Sequence, residues 1–309
     1  MNYRALIHEA WTFTKANKPL MLWYSLLPSL LTTVVGIGYL LYQFFAFKRS
    51  HWFDNAETSF IREVITYVAN FFQTHTGLIT PIIIIFIIAV ILYFLVPTIC
   101  LGGLVQITAR RREGKEVQNI DGISYGLMSF LVLLEYHLFI KTFSFIGIFT
   151  EAALVLRNFE EEMLGLFIPI FGLFLVIGLF LTLLFIYAEF FIILKREGIL
   201  RSILKSSKLV MLNWRHTFLI GLVMLMIGVR IIVNIVAVLL VPALIIVSAG
   251  FFATIALQKI GLIVALIIGF FALIAVAYFN GIIHLFTNTV WTYTFMDLCA
   301  DEKNKEFIE

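Results

Sequence analysis

Side chains that do chemistry are few in this sequence, and the first pair with a chemical role to consider is Glu151 with Arg230. Both lie within long apolar stretches. Each is about 15 residues, or roughly 22 Å of helix, from a polar-aromatic junction, Tyr136 for the acid and Arg215 for the base. An unpaired charge at such a depth is costly, so the spacing predicts an intramembrane ion pair. The pair is either structural or part of a polar path for a solute.

A polar stripe follows from the spacing of Asn280, His284 and Asn288, which recur every fourth residue and therefore share one face of a helix. The stripe comes directly after the apolar run 260–279. One interpretation is an amphipathic helix extension that packs against the chain's own helices. The other interpretation is a face that contacts a lipid headgroup or a solute.

Basic side chains form two further clusters between the apolar runs. Their members are Arg110, Arg111, Arg112, Arg201, Lys205 and Lys208. Near a membrane surface, Lys and Arg attract anionic lipid headgroups by about 1 kcal/mol each, and they also hold a loop on the cytoplasmic side. We therefore predict contacts with anionic lipid. Nucleic-acid binding is not expected, because the clusters accompany membrane-facing apolar stripes rather than an exposed stacking module.

No catalytic, cofactor or metal signature accompanies these residues. The sequence has no G-x-x-x-x-G-K-[ST] phosphate loop, no G-x-G-x-x-G fingerprint and no H-E-x-x-H pair. Residues 122–126 read G-I-S-Y-G, but no predicted strand precedes them, as a nucleophile elbow requires. Its two cysteines, Cys100 and Cys299, lack metal or redox spacing and are expected to be free thiols. We predict a protein that is not an enzyme and has no cofactor, metal or catalytic residue.

Long apolar helices must position these residues. Of 309 residues, 61% are hydrophobic and 13% charged, against roughly 25% charged in soluble domains. Apolar runs of about 20 residues cross hydrocarbon as helices, and nothing alternates as barrel strands do. We predict an all-α integral membrane protein with one membrane domain over residues 1–309. The predicted spans are about 20–45, 78–98, 136–156, 165–187, 216–239 and 260–280.

The distribution of Lys and Arg predicts the orientation of these spans. Segments that would face the cytoplasm with the N-terminus inside hold roughly three times as many Lys and Arg as the opposite segments. Both termini are therefore predicted inside.

An amphipathic stretch precedes each outward span, over residues 3–14, 120–134 and 199–214. In the third stretch the predicted apolar face consists of Ile199, Ile203, Val210 and Trp214. We interpret the three stretches as repeats of one unit, an inner-surface helix followed by a transmembrane hairpin. Two outer connections, 61–72 and 241–258, are apolar enough to predict interfacial or re-entrant helices.

Three stretches of sequence carry a resemblance to a known group of proteins. They are FTKANKPLMLWYSLLPSL at 13–30, LGGLVQITARRREGKEVQNIDGISYGL at 101–127 and YAEFFIILKREGILRSILKSSKLVMLNWRHTF at 187–218. In the last stretch Glu189 and a K-R-E-G turn precede a Ser-rich amphipathic helix that closes on Asn-Trp. The chain resembles uncharacterised prokaryotic six-helix membrane proteins, which are distantly similar to the membrane domain of some glycerophosphoryl diester phosphodiesterases. The resemblance implies the six-helix architecture, and no catalytic residue carries over because the phosphodiesterase domain is missing from this chain.

Together these features predict a non-enzymatic, multi-pass protein of the cytoplasmic membrane of a prokaryote, acting as an assembly or lipid-organising component. The expected partners are membrane lipids, with anionic headgroups on the cytoplasmic side. The sequence leaves open a homo-oligomer or another membrane protein as partner. The alternative function is a transporter or channel for a small solute or lipid, with Glu151 and Arg230 on its polar path.

Overall fold

The computed structural model describes residues 2–48, 60–141, 147, 150–154, 161–229 and 258–301, and within these ranges it contains helices and no strands. The elements, in chain order, are α1 (Tyr3–Ala16), α2 (Lys18–Met21), a π-helical turn (Leu22–Leu26), α3 (Leu27–Lys48), α4 (Phe60–Thr74), α5 (Thr76–Arg112), α6 (Asp121–Lys141), α7 (Glu161–Leu184), α8 (Ala188–Lys195), α9 (Ile199–Leu212), α10 (Trp214–Val229) and α11 (Gln258–Ala300).

Five helical segments among the described residues are long and apolar enough to cross a membrane, and a bent pair raises the number to six. The segments are Lys18–Phe44, Thr76–Arg112, Asp121–Ile140, Phe167–Lys195 and Gly269–Ala300, and the bent pair is Ile199–Leu212 with Trp214–Val229. The prediction of an all-helical, multi-pass membrane protein is confirmed. The orientation and the threefold repeat stay predictions.

Two helices are much longer than a bilayer requires. A span needs about 20 residues, whereas α5 has 37 residues and α11 has 43. Their surplus turns meet α1, α6 and α8 at one end of the bundle, which we call the basic end because Arg110–Arg112 lie there. The basic end contains the three clusters of buried apolar side chains, in which Tyr187, Leu104 and Val290 are completely buried.

The opposite half of the bundle presents apolar side chains outward. None of the most apolar window of α5 is buried, and Phe86 within it is 67% exposed. Exposed apolar helices of this kind are typical of lipid-facing surfaces, because lipid tails solvate them as well as a protein core would.

The second predicted surface helix is not a separate element. We predicted a surface stretch over 120–134 and a span from residue 136, but α6 continues without a break from Asp121 to Lys141. The reason is close packing on α5: a Cβ added at Gly126 would overlap the carbonyl oxygen of Ile99, and one at Gly103 would overlap that of Gly122. The spacing Gly122-x-x-x-Gly126 lets the two backbones touch, as in membrane helix pairs.

The first and third predicted surface helices are separate elements. Asn2 caps the beginning of α1, since its side chain accepts a hydrogen bond from the Ala5 amide at 3.2 Å. α9 meets α10 at an angle of 96°. The predicted helix over 61–72 is present as α4, whereas the stretch 241–258 lies almost entirely outside the described residues.

Candidate functional site

Arg110 and Arg111, at the end of α5, join that helix to its neighbours. Arg110 Nη1 donates to the Tyr125 hydroxyl of α6 at 2.8 Å, and its guanidinium lies 4.1 Å from the centre of that ring. Arg111 donates to Asn17 Oδ1 between α1 and α2, to the Val117 carbonyl at 2.9 Å and to Asn119 Oδ1 at 2.8 Å. The two guanidinium groups thereby join the end of α5 to α6, to the 117–119 loop and to Asn17, which is far from them in the sequence.

The third arginine, Arg112, joins α5 to α1 and α11. Its guanidinium donates to Asp297 Oδ1 at 2.7 Å, to the Tyr293 carbonyl at 2.9 Å and to Glu9 Oε1 at 3.2 Å. It also lies 4.2 Å from the centre of the Tyr293 ring. The donors that we assigned to lipid headgroups at 110–112 are therefore shared with protein acceptors.

The second basic cluster, on α9, is divided between the protein and the surface. Lys205 forms an ion pair with Glu197 at 2.8 Å. Arg201 and Lys208 are exposed. Beside them on the helix surface lie three strongly exposed apolar side chains, Leu200, Leu204 and Met211. An apolar stripe flanked by basic residues is typical of a helix that lies in a membrane interface.

The predicted apolar face of α9 corresponds to a different surface from this exposed stripe. Val210 is buried, and Ile199 and Ile203 pack against the core, while Trp214 is 61% exposed. Ser202 and Ser206 are completely buried on the same side as Val210. The helix is therefore apolar on two sides, because it packs against the protein with one side and presents the other outward.

The polar stripe of the last helix packs against α3 and the π-helical turn. Asn280 Nδ2 donates to Thr33 Oγ1 at 3.0 Å, and His284 Nδ1 lies 3.2 Å from Ser25 Oγ. Asn288 donates to the carbonyl of His284 at 2.8 Å. These contacts favour the interpretation in which the stripe packs against the chain's own helices.

The predicted pair of Glu151 and Arg230 stays a prediction, because Arg230 lies outside the described residues. Glu151 itself is exposed in the helical segment 150–154. A different acid–base pair was missed: His137 Nε2 of α6 lies 2.9 Å from Glu189 Oε1 of α8, and both side chains are about 30% exposed. The sequence did contain a signal for this pair, since His137 and Glu189 each interrupt a long apolar stretch.

A cavity of about 370 Å³ opens between α5, α6 and the turn from α8 to α9. Its walls are formed by Gln106, Tyr125, Met128, Ser129, Val132, Ile192, Ile193, Arg196 and Glu197. Gln106 Nε2 donates to the Ile193 carbonyl and thereby joins two of the walls. The sequence signal for this site was the K-R-E-G turn, which we had used only as a mark of resemblance.

Arg196 and Glu197 are the charged residues of the cavity wall. Arg196 follows α8 in the left-handed conformation, with φ of 54°, and its guanidinium contacts the Met128 sulfur at 3.4 Å. Glu197 Oε1 binds Lys205, whereas Glu197 Oε2 is buried and has no hydrogen-bond partner among the described residues. The cavity therefore combines a cation and a partly unsatisfied carboxylate.

Comparisons with protein-family models, with curated protein sequences and with solved structures gave no match to this chain. The resemblance to six-helix membrane proteins therefore stays a prediction, and the argument for function depends on the site itself. Within the described ranges, no group of three His, Cys, Asp or Glu side chains is placed to hold a metal ion.

Proposed function

We propose that this protein is a non-enzymatic, lipid-organising component of the cytoplasmic membrane that binds anionic lipid headgroups at its basic end. The observation that carries the proposal is the exposed side of α9. There Leu200, Leu204 and Met211 project outward next to Arg201 and Lys208. Apolar side chains at that position enter the acyl boundary, and the neighbouring cations reach the phosphate layer.

The rest of the basic end supports an organising role through its rigidity. Arg111 and Arg112 join α5 to α1, to the 117–119 loop and to α11. α9 packs on this end of the bundle through its buried side chains Leu209 and Val210. A helix held in this way keeps its cations at a constant height in the membrane. Headgroups bound there would be held at fixed positions relative to one another.

The N-terminal helix supplies a second surface of the same kind. Trp11 of α1 is 41% exposed, and the Lys15 ammonium lies 5.2 Å from the centre of its ring. Trp side chains prefer the headgroup level of a bilayer, and a neighbouring Lys adds attraction to anionic lipid. Two interfacial helices thus flank the helix ends at this side of the bundle.

Neutralising the exposed cations of α9 tests the proposal. The double variant Arg201→Gln/Lys208→Gln should co-purify with roughly thirtyfold less anionic lipid, because each Lys or Arg near a surface contributes about 1 kcal/mol and the variant removes two of them. The measurement is mass spectrometry of the lipids retained after mild detergent purification. The matched control is Arg201→Lys/Lys208→Arg, which keeps both charges and should retain the lipid.

An unchanged anionic-lipid content in the neutral variant would contradict the proposal. Solute flux into liposomes that is abolished by Glu151→Gln would instead support the transporter alternative. The two experiments use different residues, so their results are independent.

A further inference from the structure

We propose that the cavity between α5, α6 and the α8–α9 turn binds one phospholipid whose headgroup carries a primary ammonium group, as ethanolamine does. The phosphate would lie at Arg196 and the ammonium at Glu197. This inference rests on the proposed lipid-organising function, but it concerns different residues from the exposed side of α9.

The conformation of Arg196 is the first argument. A residue in the left-handed region directly after a helix is usually Gly or Asn, because a Cβ is disfavoured there. This chain has Arg at φ of 54° and has Gly only two positions later, at Gly198. Unfavourable backbone conformations concentrate at functional sites. An arginine in this disfavoured conformation is explained if its guanidinium binds a ligand.

The charge of Arg196 is available to such a ligand. The guanidinium contacts the weakly accepting sulfur of Met128, and no carboxylate of the described chain lies within ion-pair distance of it. An arginine at a cavity wall binds phosphate through two parallel N–H donors. The phosphate ester of a lipid headgroup supplies the required acceptor oxygens.

Glu197 supplies the complementary charge. Its Oε1 accepts from Lys205 at 2.8 Å, its side chain is only 15% exposed, and its buried Oε2 lacks a partner within the part of the chain that the structure describes. A buried carboxylate oxygen without a donor is costly. A primary ammonium donates hydrogen bonds and satisfies this oxygen, whereas the quaternary ammonium of choline has no N–H to donate.

The cavity shares one wall residue with an apolar groove, and this neighbourhood favours a lipid as the ligand. Met128 lines both the cavity and a shallow groove along α6. The groove is also lined by Ile120, Ile123, Ser124 and Leu127, and its four apolar side chains, with Met128 included, are 39–63% exposed. A cavity with two charged wall residues beside an exposed apolar groove complements an amphiphile, with the headgroup in the cavity and an acyl chain along α6.

Competitive binding of matched lipids to the purified full-length protein tests the inference. Ethanolamine, choline and glycerol phospholipids with identical acyl chains would be added at equal concentration and measured by native mass spectrometry. We expect the ethanolamine lipid to bind preferentially. Arg196→Gly should weaken that binding at least tenfold, and Glu197→Gln should abolish the preference for ethanolamine over choline. Lys115→Gln, at a side chain that is 63% exposed and pairs with Glu113, is the matched control and should leave this binding unchanged.

Arg196→Gly is chosen because the substitution should not destabilise the fold. Gly tolerates the left-handed conformation better than Arg, so Arg196→Gly should unfold at no lower temperature than the parent protein. Arg196→Asn is a second variant with the same tolerance. Loss of binding in a variant of undiminished stability supports a ligand contact rather than a structural role.

Three results would overturn the inference: unchanged ethanolamine-lipid binding in Arg196→Gly, equal binding of ethanolamine and choline lipids by the parent protein, or competition by soluble glycerophosphoethanolamine as effective as by the lipid. The last result would show that the groove contributes nothing. If Arg201→Gln/Lys208→Gln loses anionic lipid while Arg196→Gly binds normally, the proposed function stands and the cavity assignment fails. The reverse pattern supports the cavity and contradicts the wider proposal.

Discussion

Arg111 shows how much of the basic end depends on one side chain. Its guanidinium binds two asparagine side chains, those of Asn17 and Asn119, and the carbonyl of Val117. The hydroxyl of Tyr24, in the π-helical turn, also donates a hydrogen bond to the backbone carbonyl of Asn119. Planar donors at fixed angles are needed to reach three acceptors at once, and the ammonium of lysine does not provide that geometry.

At this scale we predict that Arg111→Lys destabilises the protein nearly as much as Arg111→Ala. Either change leaves partly buried acceptors unsatisfied, which costs about 1–3 kcal/mol. Thermal unfolding in detergent, followed by circular dichroism, measures the loss. Lys115→Ala is the control, because the Lys115 side chain is 63% exposed and pairs only locally with Glu113; it should leave the melting temperature unchanged. A fully stable Arg111→Lys protein would show that the bridging geometry is unimportant.

The pair α5–α6 shows the same dependence at the scale of elements. Gly102 and Gly103 on α5 face Gly122, Gly126 and Ser129 on α6, and the backbones touch. Small residues at a helix crossing permit close packing, which is the main source of helix association in lipid. This contact explains why α6 is one continuous helix rather than a surface helix followed by a span.

We therefore predict opposite effects for two glycine-to-alanine substitutions. Gly126→Ala places a methyl group against the Ile99 carbonyl and should destabilise the protein by about 1–3 kcal/mol, as overpacking does. Gly172→Ala, in a part of α7 where an added Cβ meets no described atom within 4 Å, should be neutral or stabilising by about 0.5–1 kcal/mol. Thermal unfolding of both variants under identical detergent conditions checks the prediction. Equal melting temperatures for the two would refute the close crossing of α5 and α6.

At the scale of the whole molecule, the unequal distribution of packing along the helices suggests an orientation. Among the described residues, the buried clusters and the helices α1 and α9 lie at the basic end, and the opposite half exposes apolar side chains. Positive residues are retained on the cytoplasmic side. The basic end is accordingly predicted to face the cytoplasm.

Cysteine labelling in intact cells tests that orientation. In a background that lacks Cys100 and Cys299, a cysteine at the exposed position Gln73 should react with a membrane-impermeant maleimide, and one at the exposed position Lys208 should react only after the cells are opened. The opposite labelling pattern would invert the topology and would move α9 to the outer surface. Labelling of both sites in opened cells is the control for accessibility.

The sequence by itself determined the class of protein and the approximate number of spans. These properties depend on local quantities, since a run of about 20 apolar residues must be helical in hydrocarbon whatever it packs against. The amphipathic helices α1, α4 and α9 were predictable for the same reason, because a periodic pattern reports which residues share a face. Gly122-x-x-x-Gly126 was also visible in the sequence, although its partner helix was not.

Only the tertiary structure decided which groups these elements bring together. It joins Arg111 to Asn17 and Asn119, and it places the polar stripe of α11 against Ser25 and Thr33. It also forms a cavity wall from the K-R-E-G turn, with Arg196 in a conformation that its residue type disfavours. Such contacts join residues far apart in the chain, and their geometry depends on how helices cross. Periodicity along one helix contains no information about the helix that it meets.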